Sequence, residues 1–180
     1  MNDIALELEK LQILEGADFI RQLRLIVSFG EFQPVLGENN IFSAIGQDSS
    51  DFTALLSAAR KAVAHGYRVY ILPNPHGFRT ADFIFERKGV YKMFNLKTVQ
   101  GKGSVDNRLS ESIGQTNRIL LHLTIDYNPG TLARSIKRYF EINVNAREVL
   151  IFKGKKQLSI TRQSLEDSRF FQTFIRRYTK

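Results

Sequence analysis

Asp82, Asn95 and Lys97 are the residues of this 180-residue chain whose types and spacing point most directly to chemistry. Asp82 opens an apolar run, Phe83-Ile84-Phe85. Arg87-Lys88-Gly89 then turns the chain, and a second run ends at Phe94-Asn95-Leu96-Lys97. Two strands joined by so short a turn pair antiparallel, and such a hairpin can bring a carboxylate and an ammonium together at its end. A carboxylate there can hold a divalent cation. An ammonium can orient water or offset the charge that develops on a phosphodiester. Both residues also have plain structural readings. Aspartate at a strand start often caps backbone amides, and a partly buried lysine needs an ion-pair partner, which Asp82 could be. Strand alternation places Asn95 and Lys97 on one face with Met93, and Phe94 and Leu96 on the other.

The surrounding pattern is that of an α/β unit. Asp51 to Ala64 is an Ala-rich amphipathic stretch behind several N-cap residues, and Gly66 ends it. Residues 67–72 read as a strand stopped by Pro73-Asn74-Pro75. Strands are expected at 81–87 and 90–97, a helix at 104–115 bearing Gln115, and an apolar strand at 118–123. Pro129 suits the first turn of a helix reaching about Glu141. Strands at 148–152 and 157–161 and a closing helix at 163–178 complete the chain. The order helix, strand, strand, strand, helix, strand over 51–123 predicts a mixed sheet flanked by helices. Residues 1–46 are expected to form a helical N-terminal appendage, with helices near 2–14 and 17–27 and a loop from 30 to 46, and residues 47–180 the α/β domain.

Charge separates these parts. Residues 1–50 hold three basic against eight acidic residues, and residues 51–180 hold 23 against 10, which gives the net +8. An excess of +13 over 130 residues attracts polyanions and favours nucleic acid as partner, although a solvated basic surface has the same composition. Arg79, Lys102 and the turn lysines Lys153, Lys155 and Lys156 are expected to contact a phosphate backbone, which gives affinity without sequence readout. Arg134, Lys137 and Arg138, and Arg176 with Arg177, form further basic groups. No apolar stretch is long enough for a membrane span, and the acidic N-terminus is unlike a signal peptide. The expectation is a cytoplasmic protein with no membrane partner. Cysteine is absent, which excludes disulfides and thiolate zinc sites. No Walker loop, dinucleotide fingerprint or nucleophile elbow is present.

Read together, Ala81-Asp82-Phe83, Asn95-Leu96-Lys97, a helix with Gln115 and a following strand resemble the PD-(D/E)xK nuclease core. With His65-Gly66-Tyr67-Arg68-Val69 upstream, they resemble more closely the C-terminal tRNA nuclease domains of CdiA-type contact-dependent growth inhibition toxins. The resemblance covers roughly residues 51–125. It implies a restriction-endonuclease-like core, a metal-dependent phosphodiesterase acting on RNA (tRNA in that family), and a cognate inhibitor protein as partner. It makes Asp82 and Asn95 the metal position, Lys97 the catalytic lysine and Gln115 a supporting helix residue. Asn95 departs from the family pattern, which has an acid there. An amide oxygen can ligate a metal but cannot offset its charge, so Mg²⁺, Mn²⁺ or Zn²⁺ is expected to bind more weakly. Asp51, Glu86 and Asp106 are the carboxylates available to compensate. A metal-free RNase would instead need a histidine. His65 lies at a helix end and His122 in an apolar strand, while His76 sits in the loop beside the Asp82 strand. The alternative function is a non-catalytic nucleic-acid-binding protein associated with mobile DNA.

Overall fold

The structure is a computed structural model and describes residues 4–29, 31–45, 51–73, 81–101, 105–114 and 117–180. It is a mixed α/β fold with helices at its N-terminal end. The chain divides into two compact units, Met1–Phe94 and Asn95–Lys180.

The first unit begins with helices α1 (Ile4–Lys10) and α2 (Gly16–Ser28). Strands β1 (Gln33–Pro34) and β2 (Ile41–Ser43) follow, then helix α3 (Phe52–Ala64), β3 (Arg68–Ile71) and β4 (Phe83–Arg87). The segment expected as a loop over 30–46 therefore holds two strands. Its three-residue run Ile41-Phe42-Ser43 is too short to stand out as a period-two pattern, and it is fixed by parallel pairing with β3. Strand β3 pairs antiparallel with β4, and β4 with the first half of β5 (Val90–Val99). The turn between them is Lys88-Gly89, with φ of +53° and +78°. Positive φ at both central residues is what a two-residue turn needs to match strand twist, and Gly89 supplies it without steric cost. The Gly89 N–H donates to Glu86 Oε1 at 2.8 Å, so this candidate compensating carboxylate serves the turn. On one face of the sheet, Tyr70, Leu72 and Ile84 pack with Leu8, Leu23 and Ile26 from α1 and α2 and with Leu11 just past α1. The aromatic rings of Tyr67, Phe83 and Phe94 each pack at a tilt against that of Phe85, with centroids 5.1 to 5.3 Å apart.

The second unit takes the other half of β5, which pairs parallel with β6 (Arg118–Leu123). Strand β6 pairs parallel with β7 (Glu148–Lys153), and β7 antiparallel with β8 (Lys156–Thr161). Helices α4 (Val105–Glu111), α5 (Pro129–Ile142) and α7 (Phe170–Thr179) bury Leu109, Leu132, Ile136, Phe140, Phe170 and Phe174 against Val99, Ile119, Leu121 and Ile151. Pro129 opens α5 as expected, and the Asn128 side chain accepts the Thr131 N–H at 3.0 Å. The single closing helix expected over 163–178 is two, α6 (Arg162–Glu166) and α7. Asp167 breaks it: its backbone is extended and its carboxylate accepts the Arg169 N–H at 2.9 Å, a local bond that competes with helix.

Candidate functional site

In the second unit, β5 and β6 run parallel in register, with Asn95 opposite Ile119, Lys97 opposite Leu121 and Val99 opposite Leu123. Paired residues share a face, so Asn95 and Lys97 lie on the sheet face that α4 and α5 cover. The alternation expected from sequence is thus the one observed. Asn95 is buried, at 5% exposure. The Lys97 side chain is 15% exposed, and its Nζ lies 4.0 Å from Glu111 Oε2 on α4. Arg108, one turn earlier on α4, reaches the same carboxylate oxygen at 3.4 Å. Glu111 is half exposed, so it ties two cations together while remaining open to solvent. Sequence reasoning passed over Glu111. Helix α4 ends at Glu111, short of the expected 115, and no local spacing marks Glu111 as the residue that meets Lys97. Gln115 itself, together with Arg79, Lys102 and His76, lies outside the described residues.

Asp82 belongs to the first unit. Its N–H donates to the Phe94 carbonyl at 3.0 Å and its own carbonyl accepts the Leu72 N–H at 2.9 Å, so it extends the ladder by one residue beyond β4. The strand pairing between the segments around 81–87 and 90–97 is as expected. Asp106 on α4 stands 4.0 Å from Arg138. Among the described residues no three His, Asp or Glu side chains gather in a way that could hold a metal ion. His65 sits at the end of α3, its pKa lowered first by burial and then by the nearby Arg87 and Lys61 charges. His122 is buried inside β6.

The turn lysines have definite surroundings. Lys153 Nζ contacts Asp126 Oδ1 at 2.7 Å and lies 3.8 Å from the centre of the Tyr178 ring. Burial pulls the Lys153 pKa down, but Asp126 and Tyr178 outweigh it and hold the group above its ordinary value. Lys156 Nζ donates to the Tyr178 carbonyl at 2.9 Å, and Lys155 is exposed. Tyr178 also accepts the Tyr127 N–H at 3.0 Å, and the Tyr127 hydroxyl donates to the Gly101 carbonyl two residues past β5. The C-terminal helix is thereby tied to the exit of the Lys97 strand.

Fold and site together define a mixed α/β domain that presents a half-buried lysine and a buried amide on a strand, beside an acid on the next helix. No family model and no curated protein matches the chain. Among solved structures it is similar to a chain of the CdiA-CT/CdiI toxin and immunity complex from Burkholderia pseudomallei. The two are 14% identical with a TM-score of 0.44, over 72% of this chain and 93% of that one. No helix among the described residues is long and apolar enough to cross a membrane.

Proposed function

We propose that the chain is a nucleic-acid phosphodiesterase acting on RNA, with tRNA the substrate its sequence resemblance favours and a cognate inhibitor protein as partner. The observation that carries this reading is Lys97. Its ammonium is mostly withdrawn from water, lies on a strand beside the buried Asn95 amide, and meets the Glu111 carboxylate only at 4.0 Å. An ammonium so placed costs desolvation that a loose, half-exposed partner repays poorly. A phosphate oxygen arriving at Lys97 repays it better.

The chain's own residues suggest these roles. Lys97 offsets the negative charge that grows on the non-bridging oxygens as the phosphorane forms. Asn95, buried on the same face, supports Lys97 from within the sheet. Glu111, hydrogen-bonded to Arg108, accepts a proton from an attacking hydroxyl that reaches it. Asp82 and Gln115 are assigned to this reaction by the resemblance. Among the described residues no three His, Asp or Glu side chains gather, and none of these roles is routed through a metal. Arg79, Lys102 and Lys155 are proposed to contact the phosphate backbone, with Lys153 and Lys156 adding field while they secure α7.

The test is incubation of the pure protein with labelled tRNA and plasmid, with Mg²⁺, Mn²⁺ or Zn²⁺ and with chelator. Cleavage of RNA that disappears in Lys97→Ala while the fold is retained is the expected result. Salt-sensitive binding with no cleavage under any of these conditions would leave the non-catalytic binding protein as the reading.

A further inference from the structure

The positive charge of the molecule belongs to one unit. Residues 95–180 hold sixteen basic against seven acidic residues, a balance of +9, while residues 1–94 hold ten against eleven. Most of the acids in the second unit are spent on particular cations: Glu148 on Arg118, Asp126 on Lys153, Glu111 on Lys97 and Arg108, Asp106 on Arg138 and Asp167 on Arg169. Arg134, Lys137, Arg176 and Arg177 are all exposed. Among the described residues none of these four has a carboxylate within ion-pair distance.

These four fall in two pairs, one on each of two packed helices. Helices α5 and α7 pack against one another, and Lys137 Nζ lies 5.5 Å from the centre of the Phe171 ring. On α5 the buried positions are Leu132, Ala133, Ser135, Ile136, Tyr139 and Phe140, which leaves Arg134, Lys137, Arg138 and Glu141 on the opposite side. Glu141 is the one acid on α5, and α7 has none. Placement in the last turn of α7 suits Arg176 and Arg177 to the helix dipole, but the α5 cations are at mid-helix, where the dipole does not account for them. On α5, Arg134 and Lys137 stand three residues apart and repel each other, which lowers stability slightly, and a polyanion laid across them removes that repulsion. The exposed large apolar side chains of the two helices are Ile175 and, in the last turn of α5, Ile142, which stand on different helices and form no apolar stripe of the kind by which a helix enters a lipid surface.

We propose that the outer face of α5 and α7 is a docking surface for the sugar-phosphate backbone of a structured RNA, gripping it without reading bases. The choice of RNA over DNA rests on the function proposed above. The docking does not use Lys97, Asn95 or Glu111.

The experiment measures binding of a labelled RNA stem–loop, a DNA duplex of equal length and anionic phospholipid vesicles, from 50 to 200 mM salt. The variants are R134E/K137E and R176E/R177E, with folding checked by circular dichroism. Each should weaken RNA binding at least tenfold at low salt and lower the slope of log K against log salt by about two, since each phosphate contact contributes about 0.9. If a charge reversal fails to fold, R134Q/K137Q serves with the same reduction in slope. Unchanged affinity and slope in both variants overturn the docking surface, as does equally tight, equally impaired binding to vesicles. Equal loss of DNA and RNA binding overturns the assignment to RNA. Cleavage by the unaltered protein is scored separately. Cleavage with an unchanged variant slope refutes the docking surface alone, and a reduced slope without cleavage refutes the phosphodiesterase alone.

Discussion

Asn95 is the residue at which the readings of this chain part. It is buried beside Lys97 on the covered face of β5, so a charge placed there has little water to solvate it. Asn95→Asp should lower the thermal midpoint in chelator, because burying a carboxylate strips its hydration at a cost on the order of 3 kcal/mol, less whatever Lys97 returns. If a divalent cation can enter, adding Mg²⁺ or Mn²⁺ should recover that midpoint and calorimetry should show tighter binding than the unaltered protein gives. A midpoint that metal leaves untouched, with no heat of binding, would remove the metal from consideration. Lys97→Ala makes the complementary change. It deletes a cation whose ion-pair partner stands 4.0 Å away, so stability should change by less than about 1 kcal/mol, while RNA cleavage should be lost. A large loss of stability would instead mark Lys97 as structural.

Among the elements, α7 has the widest reach for its length. Tyr178 is buried at 1% exposure, its ring covers Lys153, its carbonyl holds Lys156, and its hydroxyl accepts the Tyr127 N–H. Tyr178→Phe removes the hydroxyl, with its part in holding Lys153, and strands a backbone donor at Tyr127. The expected cost is about 1 to 3 kcal/mol in urea unfolding, together with faster amide exchange at 124–128. No change in exchange there would disprove the tie. This coupling was not legible in the sequence, because it joins residues some fifty positions apart and neither tyrosine belongs to a recognisable pattern. The elements that carry strong local signals were legible. The hairpin turned at Lys88-Gly89, α5 began at Pro129, and the alternation of Asn95 and Lys97 matched the observed register. What escaped depended on partners distant in sequence, as β2 does on β3, or on a single side-chain bond, as the Asp167 break does. At the candidate site, alternation alone put Asn95 and Lys97 on one face, as the register does. Glu111 was missed because only the packing of α4 on β5 shows which turn of the helix meets Lys97.

At the scale of the molecule, each unit has its own core, one around Leu23, Ile26 and Ile84 and one around Leu121, Ile136 and Phe140. Leu23→Ala and Ile136→Ala delete fully buried side chains and should each cost about 2 to 5 kcal/mol. Hydrogen exchange should show each loss of protection concentrated in the unit that holds the substitution, and uniform loss across both units in both variants would show a single cooperative body. Strand β5 adds a matter of timing. Its first half meets β4 across a two-residue turn, whereas its second half meets β6 only after the chain has travelled through residues 100–117. Closing a short turn takes microseconds, and pairing across a long parallel crossover is slower because more chain must be ordered before any contact is rewarded. Strand β5 should therefore be assembled from its N-terminal end, with its first five residues holding an edge on which Asn95 and Lys97 are laid down later. Gly89→Ala, strained by the positive φ it inherits, would then slow refolding, while Val99→Ala would chiefly hasten unfolding, and stopped-flow measurements of the two arms would separate them. The residues proposed for chemistry would be among the last of their strand to find their places.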